Sequence, residues 1–130
     1  KGNQIDPSEY IEVSIKLMRK FPKAKKIITT LRGSINASNN SWSGLLYNGE
    51  KAFFSKKHSI THIVDRVGGG DSFMAGLIYG LRILKDDKDA LEFAAAASSL
   101  KHTIKGDFNL VTIDEVNKIL SGDSSGRVSR

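Results

Sequence analysis

Apolar residues recur at helical spacing from Tyr10 and Ile11 through Ile15, Leu17 and Met18 to Phe21, between Asp6-Pro7-Ser8 and Pro22. Asp or Ser beside a proline is a helix-start signal and the second proline is a stop, so the pattern predicts a first helix here. The short β-branched run at 27–31 reads as a buried strand. A polar loop is expected from Arg32 to Ser41. Trp42 to Tyr47 and Ala52 to Lys57 flank Asn48-Gly49, the signature of a two-residue hairpin turn. Residues 60–64 predict a further strand, ending at Asp65 and a glycine run.

Beyond the glycines the period changes. Phe73 to Leu84 is apolar enough for a buried helix, and its Gly76 and Gly80, four apart, permit close backbone packing at a cost in helix propensity. Ala90 to Lys101 and Ile113 to Leu120 predict two more helices, the alanines at 94–97 reading as close helix packing. Residues 121–130 are Ser/Gly-rich without an apolar pattern and are expected to form a mobile tail after a domain spanning 1–120. The element order suggests a layered α/β domain. It offers few strands for a crossover sheet and no obvious domain opening, so part of something longer is expected.

Composition narrows the class more than the function. The chain has 130 residues, 39% hydrophobic and 26% charged, which suits one ordinary globular domain. No run approaches the roughly 18 apolar residues of a spanning helix, and no secretory pattern opens the chain. Without cysteine there is no disulfide scaffold, thiol catalysis or cysteine zinc site, which fits a reducing cytoplasm. The net charge of +6 invites a nucleic-acid partner. Its cations are dispersed, however, from Lys16, Arg19 and Lys20 to Lys56 and Lys57, and aromatics do not alternate with them as in a single-strand binder, which argues for solvated surface lysines. His58, His62 and His102 lack metal-ligand spacing, and Trp42 reads as a strand-core residue.

The chemistry concentrates in Gly68-Gly69-Gly70-Asp71. Glycine tolerates positive φ and has no side chain to hold an anion away from backbone N–H groups. At a helix N-terminus those N–H groups lack partners and the macrodipole is positive, which makes an anion site. A carboxylate beside such a site is self-defeating for binding alone. It is explicable if Asp71 takes a proton from an attacking hydroxyl while the N–H groups hold charge on a transferring phosphoryl group. The competing reading is a tight turn in which Asp71 or Ser72 caps the helix. A Walker loop is excluded because Gly-Lys-Ser/Thr is absent, and a dinucleotide fingerprint because Phe73 stands where its last glycine belongs.

The longer run from Asp65 to Gly76 (Asp-Arg-Val-Gly-Gly-Gly-Asp-Ser-Phe-Met-Ala-Gly) closely resembles the second signature of the PfkB/ribokinase family of carbohydrate kinases. Arg66 and Gly69 depart from the commoner Thr or Pro and Ala. With Thr30-Leu31-Arg32, Trp42 to Tyr47 and Lys101 to Asn109, they resemble the 2-keto-3-deoxygluconate kinase branch. The resemblance implies the carboxy-terminal part of a ribokinase-like three-layer α/β/α sandwich. It implies transfer of phosphate from ATP to a sugar-acid hydroxyl, with magnesium carried by phosphates and water. Asp71 would then be the catalytic base and a substrate contact, and Gly68, Gly69 and Gly70 the anion hole. Arg32 and Gly33 would line the nucleotide, and Asp107 would bind substrate. Ala95 or a neighbour stands where some members carry a polar nucleotide contact. The full-length parent could form a homo-oligomer, whereas the chain alone is expected to be inactive. Rival expectations are a kinase for fructose, ribose or a nucleoside, and a non-catalytic nucleotide-binding module.

Overall fold

The computed structural model describes residues 6–34 and 40–122. Helix α1 (Pro7–Lys20) opens as its sequence predicts, with the Asp6 carboxylate accepting from the Ser8 N–H at 3.0 Å and Pro7 in the first turn. Strands β1 (Ile27–Ser34), β2 (Asn40–Tyr47), β3 (Ala52–Phe54) and β4 (His58–Ile60) form one antiparallel sheet. Strand β2 is central. It pairs with β1 along its whole length, Ile27 opposite Tyr47 through Ser34 opposite Asn40. On its other side β3 pairs with its end and β4 with its beginning.

Several boundaries differ from the sequence expectation. The Arg32–Ser41 loop is shorter, because Arg32, Gly33 and Ser34 pair with Trp42, Ser41 and Asn40 and extend both strands. Polar side chains concealed a ladder that is made by backbone. The hairpin exists, but residues 48–51 form a four-residue loop, with Gly49 at φ 96°. The Asn48 side-chain oxygen accepts from Glu50 and Lys51 N–H at 3.0 and 2.8 Å and organises it. Past Phe54 the outer strand breaks, because Glu92 on a neighbouring helix captures the Lys56 N–H at 2.9 Å. The chain resumes as β4, so the strand expected at 60–64 lies at 58–60.

Helices α2 (Gly69–Ile83) and α3 (Asp87–Lys101) pack on the sheet face that carries Trp42, Gly44 and Leu46. A Cβ on Gly44 would stand 2.8 Å from the Phe73 ring and 3.0 Å from Leu91. The expected glycine contact between helices is present: a Cβ on Gly80 would lie 2.6 Å from Ala90 Cα, and one on Gly76 3.1 Å from Ala94 Cα. Ala90, Ala94, Ala95 and Ala96 are fully buried, as close packing requires. Helix α1 packs against β1 and β2, and Leu45, on the β2 face opposite Trp42, is also fully buried. Helix α4 (Ile113–Ser121) starts with a capping box, Thr112 and Glu115 bonding each other's backbone.

The result is a mixed α/β unit with an antiparallel sheet. Ser121 still belongs to α4, and residues 123–130 of the expected tail lie outside the described residues. Among the described residues no helix is long and apolar enough to cross a membrane.

Candidate active site

Helix α2 begins four residues earlier than its apolar pattern suggests, with Gly69, Gly70 and Asp71 forming its first turn. No strand leads directly into it. Residues 61–68 form an irregular connection, tied to the end of α3 by Val64 and Asp65 N–H groups that donate to the His102 carbonyl at 2.9 and 3.3 Å. The N-cap is Gly68, at φ 79°, without a side-chain capping bond. Neither Asp71 nor Ser72 caps the helix, and the Ser72 hydroxyl instead reaches the Ala97 carbonyl at 3.3 Å.

The three glycines serve three separate ends. Gly68 adopts a left-handed conformation, and a Cβ on it would collide with the Asp107 carbonyl. Gly69 is buried under His102, whose ring would stand 2.9 Å from an added Cβ. Gly70 is exposed with no neighbouring atom within 4 Å of that position. The amides differ likewise. Gly69 N–H already donates to Arg66 O at 3.2 Å, and Ser72 N–H returns to Gly68 O at 2.9 Å. Helical geometry leaves the N–H groups of Gly70 and Asp71, at the positive end of the α2 dipole, facing solvent-accessible space.

Asp65 holds this turn in shape. One carboxylate oxygen accepts from Val67 N–H at 3.0 Å and the other from Gly106 N–H at 2.9 Å, so one side chain joins the segment before α2 to the segment after α3. These bonds, led by that from Val67, hold its carboxyl below the usual value of 3.8. Gly106, at φ 86°, turns the chain so that the Asp107 backbone lies against Gly68.

His102 forms the wall behind Gly69. Its Nδ1 lies 2.7 Å from the Ser98 carbonyl, and the Ser98 hydroxyl donates to Gly69 O at 2.6 Å. Burial pushes the imidazole below its ordinary value of 6.5, against the Ser98 contact that raises it. The lowered value favours the neutral ring, with Nδ1–H as donor. Trp42 packs on His102 at 4.9 Å between ring centroids, and the Arg32 guanidinium lies 5.3 Å over the indole. A continuous row, Arg32–Trp42–His102–Gly69, therefore runs from the edge strand β1 to the start of α2. The indole Nε1 is buried with no hydrogen-bond partner among the described residues.

Residues 40–112, more than half of the chain, match the family described as pfkB family carbohydrate kinase. The chain belongs to this family. A 2-dehydro-3-deoxygalactonokinase of Haloferax volcanii is 38% identical over 66 residues, 51% of this chain and 21% of that protein. The crystal structure of a Thermotoga maritima 2-dehydro-3-deoxygluconokinase is 44% identical, with a TM-score of 0.83 over 90% of this chain and 35% of that one. A PfkB family carbohydrate kinase from Listeria grayi is 28% identical, with a TM-score of 0.79 over 94% of this chain and 37% of that one. The chain thus spans about a fifth of the length of the first and about a third of the others.

Within this PfkB chain the residues singled out from sequence converge only in part. The Asp107 backbone meets Gly68, while its carboxylate and that of Asp71 are exposed. Arg32 and Gly33 lie on β1 rather than in a loop, and Arg32 reaches the turn through Trp42 and His102. Of the three expected anion-hole glycines, Gly69 has its N–H engaged by Arg66. His58 and His102 are buried, and Trp42 is a core residue as its strand position suggests. Asp65 and His102, which shape the turn, were not singled out as site residues by sequence reasoning. Asp65 opened the signature and could have been found there, whereas nothing local to Lys101 signals that its side chain is fully buried. Among the described residues no group of three or more His, Cys, Asp or Glu could hold a metal ion. A cavity of about 400 Å³, lined by Lys56, His58 and Glu92 among others, shares no residue with the glycine turn.

Proposed function

We propose that this chain is the nucleotide-handling, carboxy-terminal part of a kinase that transfers the γ-phosphoryl group of ATP to a sugar-acid hydroxyl. The substrate we favour is 2-keto-3-deoxygluconate, giving 2-keto-3-deoxy-6-phosphogluconate and ADP. The observation that carries the reading is the first turn of α2. It offers the amides of Gly70 and Asp71 beside open space, together with an exposed carboxylate that no capping role explains.

In the proposed reaction the phosphoryl group sits at the amides of Gly70 and Asp71, which stabilise the charge developing on its oxygens. The substrate oxygen attacks phosphorus, the bond from phosphorus to the ADP oxygen breaks, and the Asp71 carboxylate accepts the hydroxyl proton. Arg32, held on Trp42, supplies positive charge on the nucleotide side. Gly33 lines the same strand, and the Asp107 carboxylate contacts substrate. Magnesium enters with the nucleotide, borne by its phosphates and water, and neutralises phosphate charge. Names of relatives support the sugar-acid substrate: one is called a 2-dehydro-3-deoxygluconokinase and another a 2-dehydro-3-deoxygalactonokinase. Because the chain spans only a fraction of each, most sugar contacts would lie elsewhere, and the chain alone is proposed to be inactive.

The test is an ATP-coupled assay of the full-length protein carrying this chain, with 2-keto-3-deoxygluconate, fructose and ribose compared. The expected result is a kcat/KM for the sugar acid at least about 100-fold above either sugar, or ~2.7 kcal/mol of transition-state discrimination. Preference for fructose or ribose overturns the substrate assignment.

A further inference from the structure

Lys101 is fully buried, which is rare for a lysine unless its charge is met. It is met here by backbone. The ammonium donates to the Ile104 carbonyl at 3.0 Å and to the Asp65 carbonyl at 3.4 Å. It also stands in the last turn of α3, where the helix dipole favours a cation. Asp65 is thus engaged twice, its carbonyl by Lys101 and its carboxylate by the N–H groups of Val67 and Gly106.

We propose that Lys101 is a positioning residue for the phosphate-binding turn. It acts as an internal cation that clamps the segment before α2 to the segment after α3, and so sets the direction of the Gly70 and Asp71 amides. This rests on the phosphoryl-transfer reading of that turn. The two segments that Lys101 joins are those that meet where the Asp107 carbonyl packs on Gly68. A neutral side chain of the same length would leave the Asp65 and Ile104 carbonyls without the ammonium that bonds them, beside a fully buried side chain. The connection would loosen and the amides would lose their fixed direction, while the core beneath Trp42 and Phe73 stayed packed.

The test needs no catalysis. In the chain itself, the Lys101 ammonium protons, observed by nitrogen-15 NMR, should exchange with water at least about tenfold more slowly than those of the exposed Lys105. In Lys101→Met, exchange of the Val67 and Gly106 amides should rise about tenfold or more, with Leu46 in β2 unchanged. In Lys101→Ala, propylammonium, which matches the deleted part of the side chain, should restore protection at Val67 and Gly106, where sodium does not. ATP affinity of the chain should follow the same order. Fast ammonium exchange in the unmodified chain overturns the proposal even if the variants fail to fold. A rise in exchange spread evenly over the whole chain, or none, overturns it too. Failure of the unmodified chain to bind ATP counts against the nucleotide reading of the site, and the exchange data still decide the role of Lys101.

Discussion

The Asp107 carbonyl packs directly onto the α-carbon of Gly68, with the Asp107 carbonyl carbon and Cα each 3.1 Å from where a β-carbon would sit. Gly68 also has φ 79°, so two independent constraints exclude a side chain. Gly68→Ala should lower stability by about 1–2 kcal/mol for the left-handed backbone alone, with the collision adding to it. Chemical denaturation measures this. A loss below about 0.5 kcal/mol, the level of an unconstrained surface change, would mean that the turn is not held as described.

Gly70 makes the opposite prediction. Nothing lies within 4 Å of an added β-carbon, and the residue is helical. Gly70→Ala should leave stability unchanged or raise it by up to about 1 kcal/mol, because alanine is the better helix former. The same methyl group would stand where the proposed phosphate must approach. ATP affinity should therefore fall about tenfold or more, equivalent to ~1.4 kcal/mol. Calorimetry on the chain checks the pair of outcomes. Unchanged affinity would remove Gly70 from the site.

The buried histidines predict acid sensitivity in a defined window. Burial is the main cause that lowers both His58 and His102 below 6.5. Well above that pH both are neutral whether the chain is folded or not. As pH falls through 6.5 the unfolded chain binds protons that the folded chain declines, so stability drops, levelling once pH passes the lower folded values. Denaturation at pH 8, 6.5 and 5 should show the decline. NMR titration of both imidazoles should give midpoints below 6.5, and midpoints at or above it would contradict their burial.

What was legible in the sequence depended on how local its cause was. Among the described residues, apolar patterning found α1, α2 and α4 and the alanine run found α3, which is buried on all sides from Phe93 to Lys101, and the signature located the turn. Strand limits failed where polar residues pair through backbone, as at Arg32 and Asn40, or where a distant side chain intervenes, as Glu92 does at Lys56. The division of labour among three adjacent glycines was invisible, because it depends on Asp107, His102 and empty space. Lys101 was read only as the end of a helix. Its partners are carbonyls, which every residue has, so no pattern of side chains announces it.

The most direct test of the account is turnover of 2-keto-3-deoxygluconate by the full-length protein carrying this chain, wild type against Asp71→Asn. The substitution keeps the shape of the side chain and removes its basicity. A loss of roughly 10²–10⁴-fold in kcat is expected, with little change in ATP affinity. Turnover within a few-fold of wild type would contradict the assignment of Asp71 as the base.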